Sequence, residues 1–291
     1  MILAVGEALA EFTRTRSGVP LDRPGELAGP FPGGAPAIFA SVAARLGAAT
    51  ALCAVVGDDP FGVLVRQRLS RDGVDGSQLR VDPTATTACA FVSYDEEGER
   101  TFVFHVADAA SGRLRGEDLG ELPEHTRWLH VSGSTLALSA AMGEVVQSAV
   151  ARVRHAGGRV ALDPNMRPEA AGPDVVARIR SVALVADVLL PAEGELEALG
   201  LSGDSAPLVC TTLGPRGARV QLDGASELVA APEANEVDPT GAGDTFAAAF
   251  AVATLNGAEP VEAARAAAIL AASAVEQLGG MEAPVPRPRQ G

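Results

Sequence analysis

Seven short runs of Val, Leu, Ala and Ile recur along the chain, and helix-length segments separate most of them. That alternation limits the fold more than any other feature. The runs fall at 2–6, 49–57, 127–133, 159–165, 187–192, 207–214 and 218–224. Segments with helical spacing lie at 36–47, 61–73, 138–158, 174–185, 244–257 and 260–279. From about residue 127 onward the strand-like runs are continuously apolar, which suits strands covered on both faces. Strand–helix alternation of this kind predicts an α/β fold with a doubly wound, mainly parallel sheet flanked by helices. Two stretches break the rhythm. Residues 8–32 hold several Pro and Gly and no helical pattern, and 84–106 read as two alternating strands around an EEGE turn, an antiparallel hairpin. Together they predict a small sheet standing off the main body, inserted in a single domain that spans 1–291.

Composition excludes several classes of function. Hydrophobic residues make up 47% of the 291, so the chain is globular. No apolar run approaches the roughly 18 residues of a membrane span. The opening MILAVGEALAEF has no basic segment and carries Glu7 and Glu11, so no signal peptide is read there. Cys53, Cys89 and Cys210 are scattered in apolar settings, as reduced buried thiols would be, and the expected location is cytoplasmic. The four histidines show no ligand spacing. A net charge of −14 argues against nucleic-acid and anionic-membrane partners. All 23 basic residues are Arg. A Walker A loop needs its Lys against the phosphates, so ATP can be handled here only in another way.

The densest chemistry lies in EVDPTGAGDTFAAAF, 236–250. A Gly-Ala-Gly turn opening an apolar helix leaves backbone N–H groups pointing outward with the helix dipole behind them, an anion site. Gly241 and Gly243 admit a phosphate without a Cβ in the way. Asp244 is the odd member, because a carboxylate repels phosphate. It either caps the helix, or takes a proton from an attacking hydroxyl while the amides hold the transferring group.

DPTGAGD resembles the C-terminal signature of the ribokinase-like (PfkB) carbohydrate kinases, and further blocks follow that family in order and spacing. GEALAEF (6–12) and the PGGAPAIFA start of 32–62 look like its opening strand and Gly-Gly sugar-binding segment. GERTFVFH (98–105) looks like the lid strand of its fructokinase and 2-keto-3-deoxygluconate kinase branch. DPNMRP (163–168), PAEGELEAL (191–199) and TTLGPRG (211–217) match three more blocks.

The resemblance implies an α/β core carrying a β-sheet lid, made here from about 8–32 and 84–108, and transfer of the γ-phosphoryl of ATP to a sugar or nucleoside hydroxyl. It implies Asp244 as catalytic base and Gly241, Ala242 and Gly243 as anion-hole amides. Thr212, Gly214 and Gly217 fall on the nucleotide loop. Glu195 matches an acid associated with Mg²⁺, acting through water, and Asp238 and Thr240 fall where many members bind a monovalent cation such as K⁺. Glu11, Gly33, Gly34, Ala35, His105 and Arg167 fall on the sugar side. Homodimerisation through the lid is common among such proteins.

Departures from the pattern bear on substrate. Ala192 replaces the Asn of the family's Asn-x-x-Glu motif, and Ile38 replaces an Asn that can reach sugar hydroxyls. His105 and Val106 stand where a Tyr-Arg pair is common. With the second arginine missing, a carboxylate gains less from this site, so a neutral ketohexose such as fructose or tagatose is favoured over 2-keto-3-deoxygluconate. A nucleoside kinase and a sugar-binding homologue without activity are the rival readings.

Overall fold

Every residue of Ile2–Val5 (β1) is buried, as required of a strand covered on both faces. The structure, a computed structural model, describes residues 1–98, 100–106, 108–166 and 171–285. Ahead of the second core strand come β2 (Leu9–Arg14), β3 (Leu27–Gly33) and α1 (Ala35–Arg45). Next are β4 (Thr50–Gly57), α2 (Pro60–Asp72), β5 (Leu79–Asp82), β6 (Ala88–Tyr94) and β7 (Arg100–His105). The central part holds β8 (Trp128–Ser132), α3 (Gly133–Leu138), α4 (Ala140–His155), β9 (Arg159–Asp163) and α5 (Pro173–Ala183). The chain continues through β10 (Val188–Leu189), α6 (Glu195–Ala198), β11 (Leu208–Thr212), β12 (Ala218–Leu222) and β13 (Ala225–Val229). Helices α7 (Ala242–Leu255) and α8 (Pro260–Ala274) complete it.

The main sheet runs β13-β12-β11-β10-β9-β8-β1-β4-β5. From β5 to β11 all neighbours are parallel, and β12 and β13 add an antiparallel edge. Ile2 and Ala4 pack into one apolar layer with α1, α7 and α8, while Leu3 and Val5 pack into the other with α4 and α5. The alternation of a strand thus builds both sides of the core. The order proceeds outward from β1 in both directions, so the topological switch, where ligands bind in such sheets, lies at the C-terminal end of β1 beside β8.

The second sheet has the order β3-β2-β6-β7. The 84–106 hairpin is its antiparallel β6–β7 pair, and β2 joins it in parallel. Several expectations needed adjustment. The run at 187–192 forms only a two-residue strand, because Pro191 has no N–H to donate, though Ala192 still bridges to Thr212. A separate helix, α3, precedes the one expected at 138–158. Ser132 caps α3 through Ser134 N, and Ser139 caps α4 through Met142 N. Strand β13 was not foreseen, because ASELV is short and exposed apart from its last residue. Helix α8 stops at Ala274 rather than 279, which frees 275–279 to turn back towards the site.

Three buried groups stay neutral. His130 stacks on Phe39 at 3.7 Å and is pushed down to about 3 by burial. The Cys53 and Cys210 thiols are pushed up to about 12 by burial, and all three cysteines are unbridged. Among the described residues no helix is long and apolar enough to cross a membrane.

Candidate active site

The loop before α7 is tied down before it reaches the helix. The N–H groups of Val237 and Asp238 both donate to the carbonyl of Val275, just past α8. Asp238 is 1% exposed, and its Oδ1 accepts from the Thr240 N–H at 2.9 Å, an Asx turn. Gly241 then takes φ 78° and becomes the N-cap of α7. A Cβ there would lie 2.6 Å from the carbonyl oxygen of Gly280, so only glycine fits. The first i→i−4 bond of the helix, Thr245 N–H to Gly241 O, leaves the earlier amides without an intrahelical acceptor. Gly243 is exposed, and a Cβ added to it would meet nothing within 4 Å. Asp244, by contrast, is 7% exposed. The N-cap position belongs to Gly241, so capping of that kind does not account for Asp244.

The sugar-side glycines permit close approaches. Gly33 ends β3, and a Cβ on it would lie 2.3 Å from Glu11 Cδ on β2. Gly34 takes φ 96° at the start of α1, with Ala35 as the first helical residue, and its Cβ would lie 2.7 Å from Glu7 O. Phe31 and Ile38 flank this turn and press on Gly279 and on Gly280, the residue that crowds Gly241. The Gly-Gly turn and the mouth of α7 therefore meet across one short returning segment.

His105 does not join this group. It pairs with Cys89 in the β6–β7 ladder, and its ring stands edge-on to Phe91 at 5.9 Å. That puts it on the face where Phe12 stacks on Phe91 at 5.1 Å and meets Phe61 of α2 edge-on. Glu11 and Tyr94 lie on the opposite face, because they share parity with Ala90. The sheet therefore does not bring His105 to the face that carries Glu11. Arg167 lies outside the described residues.

On the nucleotide side, Thr212 ends β11, and its N–H donates to Pro191 O at 2.8 Å. Gly214 turns at φ 59° with open space where a Cβ would be. Gly217 is glycine for packing, since a Cβ would lie 1.9 Å from Val229 O. Glu195 Oε1 accepts from Met166 N–H at 2.6 Å, and Oε2 from Ala192 N–H at 2.7 Å. Ala192, lacking a polar side chain, thus meets Glu195 through its backbone.

Two features escaped the sequence reading. Glu7, 4% exposed just past β1, accepts from Ser134 Oγ at 2.5 Å and Thr135 Oγ1 at 2.6 Å. Its available signal was an acid directly after the strand at the topological switch. Tyr94 on β6 donates its hydroxyl to Asp238 Oδ1 at 2.7 Å. Burial pushes the Tyr94 phenol above its ordinary value.

Comparison with known proteins decides the family. The model of the pfkB family carbohydrate kinases matches residues 1–287. The chain belongs to the pfkB family of carbohydrate kinases. Such an enzyme is a phosphotransferase with an alcohol acceptor. A fructokinase of Vibrio alginolyticus is 35% identical over 228 residues, 74% of each chain. An Escherichia coli protein solved in complex with ATP and Mg²⁺ as a ribokinase II is 34% identical, with a TM-score of 0.89 over 97% of this chain and 94% of that one. A double mutant of the Vibrio cholerae O395 fructokinase, holding fructose, ADP and potassium, is 30% identical, with a TM-score of 0.84 over 97% and 94%. The fold of this pfkB kinase is therefore ribokinase-like.

The residues present fit the ligands that such a kinase implies. The open space at Gly243, at a helix N-terminus, suits an anionic phosphate. Among the described residues no group of three His, Cys, Asp or Glu could hold a metal ion. Both Glu195 oxygens hold amides, which suits contact with Mg²⁺ through water rather than direct ligation. Among the described residues Asp238 accepts from Tyr94, Thr240 N and Gly279 N, and a carboxylate offers roughly four such sites.

Proposed function

We propose that this chain is a fructokinase, transferring the γ-phosphoryl group of ATP to a hydroxyl of fructose. The observation that carries this reading is the set of curated fructokinases at 35% identity, each aligned over about three quarters of the chain. The structural neighbour with fructose and ADP supports it. ATP, when bound, supplies the phosphoryl group, and Mg²⁺ offsets its charge. Asp244 accepts the proton of the attacking hydroxyl, and the amides of Gly241, Ala242 and Gly243 hold the oxygens of the group in transfer. Glu11, Gly33, Gly34, Ala35 and Arg167 form the sugar side, and Thr212, Gly214 and Gly217 the nucleotide side. Val106 in place of a second arginine leaves one carboxylate partner fewer, which favours a neutral ketose over a keto-sugar acid.

ATP consumption measured over fructose, tagatose, 2-keto-3-deoxygluconate, aldoses and nucleosides tests the reading. Fructose or tagatose is expected to give the highest kcat/KM. A preference of tenfold or more for 2-keto-3-deoxygluconate or a nucleoside would overturn it.

In this reading the chain is one catalytic unit over 1–291. The β3-β2-β6-β7 sheet, from about 8–32 and 84–108, closes over the sugar and excludes water from the phosphoryl group. Its outer strands β3 and β7 expose Leu27, Val103 and Phe104, at 39%, 41% and 45%. Edge strands with exposed apolar side chains need cover, and a second copy of the sheet provides it as a homodimer. Sedimentation at micromolar concentration should show a dimer that Val103→Lys/Phe104→Lys dissociates; a strictly monomeric wild type argues against this assembly.

A further inference from the structure

Tyr94 is the chain's one tyrosine. It ends β6, and its hydroxyl reaches Asp238 across 144 positions of sequence. Its ring belongs to the second sheet, and its own carbonyl is held by Gly18 N–H at 2.8 Å. The acceptor is a carboxylate at 1% exposure. Besides Tyr94, Asp238 Oδ1 accepts from the Thr240 N–H at 2.9 Å, and Oδ2 from the Gly279 N–H at 3.0 Å. One carboxylate therefore joins three separate pieces. These are the second sheet through Tyr94, the loop entering α7 through Thr240, and the returning C-terminal segment through Gly279.

A second anchor of this sheet is of a different kind. Phe12 and Phe61 meet edge-on at 5.5 Å on the α2 side, an apolar contact that phenylalanine supplies alone. Packing does not require a hydroxyl at position 94. A hydrogen bond to a charged acceptor is about twice as strong as a neutral one and directional. This one acts six residues ahead of Asp244, on a loop whose next turn, Gly241, has no room for another residue type. Without the phenol, Asp238 keeps two amide donors and loses its link to the sheet.

We propose that Tyr94 is a positioning residue for phosphoryl transfer: its hydroxyl, by donating to Asp238, couples the docked second sheet to the loop that aims the 241–243 amides and the Asp244 carboxylate. The inference rests on the kinase reading above. It ties sheet position to catalysis through one bond, so loss of the bond should appear in kcat rather than in ATP binding.

The test uses the full chain as Tyr94→Phe, Asp238→Asn and the double variant, with the sugar that wild type phosphorylates best. Tyr94→Phe is expected to lower kcat about tenfold with KM for ATP within about threefold, since a bond made in the competent arrangement is removed. In the Asp238→Asn background the same change should cost less than about twofold, because residues acting through one another are not additive. A near-ultraviolet difference spectrum, wild type minus Asp238→Asn, should show a tyrosine band shift, as the phenol loses its charged acceptor. A kcat within twofold of wild type in Tyr94→Phe, or losses that multiply in the double variant, would overturn the proposal. If Asp238→Asn fails to fold, the split between kcat and KM in Tyr94→Phe decides alone. Inactivity of wild type towards every sugar removes the functional reading and this proposal together, whereas an active wild type with an unaffected Tyr94→Phe removes only this one.

Discussion

Asp244→Asn is expected to lower kcat by roughly 10²–10⁴, the span attributed to a positioned general base, with KM for ATP nearly unchanged. The substitution keeps the shape of the side chain and its place in the first turn of α7. It removes the one property that the proposed mechanism uses, a lone pair basic enough to take the hydroxyl proton. Its charge loss at a buried helix N-terminus costs up to about 2 kcal/mol of stability, and a circular dichroism melt separates misfolding from lost chemistry. Asp244 is 7% exposed while the neighbouring Gly243 is exposed. That contrast suits a carboxylate addressed to one bound hydroxyl beside amides open to a larger ligand. Turnover like that of wild type in Asp244→Asn would reduce the residue to a helix-terminus acid.

Much of the fold was legible because it is dictated locally. The continuous apolar runs at 2–6, 127–133 and 159–165 became buried parallel strands, and the Gly-Ala-Gly turn stands at a helix mouth. What escaped depends on contacts distant in sequence or on strand parity. In GERTFVFH both parities carry bulky side chains, Phe102 and Phe104 on one and Val103 and His105 on the other. Nothing in the pattern says which faces the site, and a one-residue slip reverses the answer. The face that His105 takes was accordingly not legible. Glu7 with Ser134 and Thr135, and Tyr94 with Asp238, are pairs more than 120 positions apart, held by tertiary structure alone. The short α3 was hidden because two serine caps, at 132 and 139, divide what reads as one apolar stretch.

Gly243→Val is expected to fold like wild type and lose roughly 10²–10³ in kcat, the cost of removing one anion-hole donor. Most glycine substitutions in such a site confuse packing with function. At Gly241 the backbone is left-handed at φ 78°, and a Cβ would strike Gly280, so any larger residue there disturbs the fold itself. Gly243 escapes both problems. Its φ is not in the left-handed region, and an added Cβ meets no protein atom within 4 Å. Helix propensity even favours Val over Gly there, by a few tenths of a kcal/mol. The space that the isopropyl group fills is the space beside the first-turn amides where the phosphoryl oxygens are proposed to sit. A melting temperature at or above that of wild type, together with the activity loss, would therefore assign that space to the ligand. Gly243→Ala, with one methyl, should fall between the two. Full activity in Gly243→Val would move the anion hole away from this turn, and the roles given to Gly241, Ala242 and Gly243 would move with it.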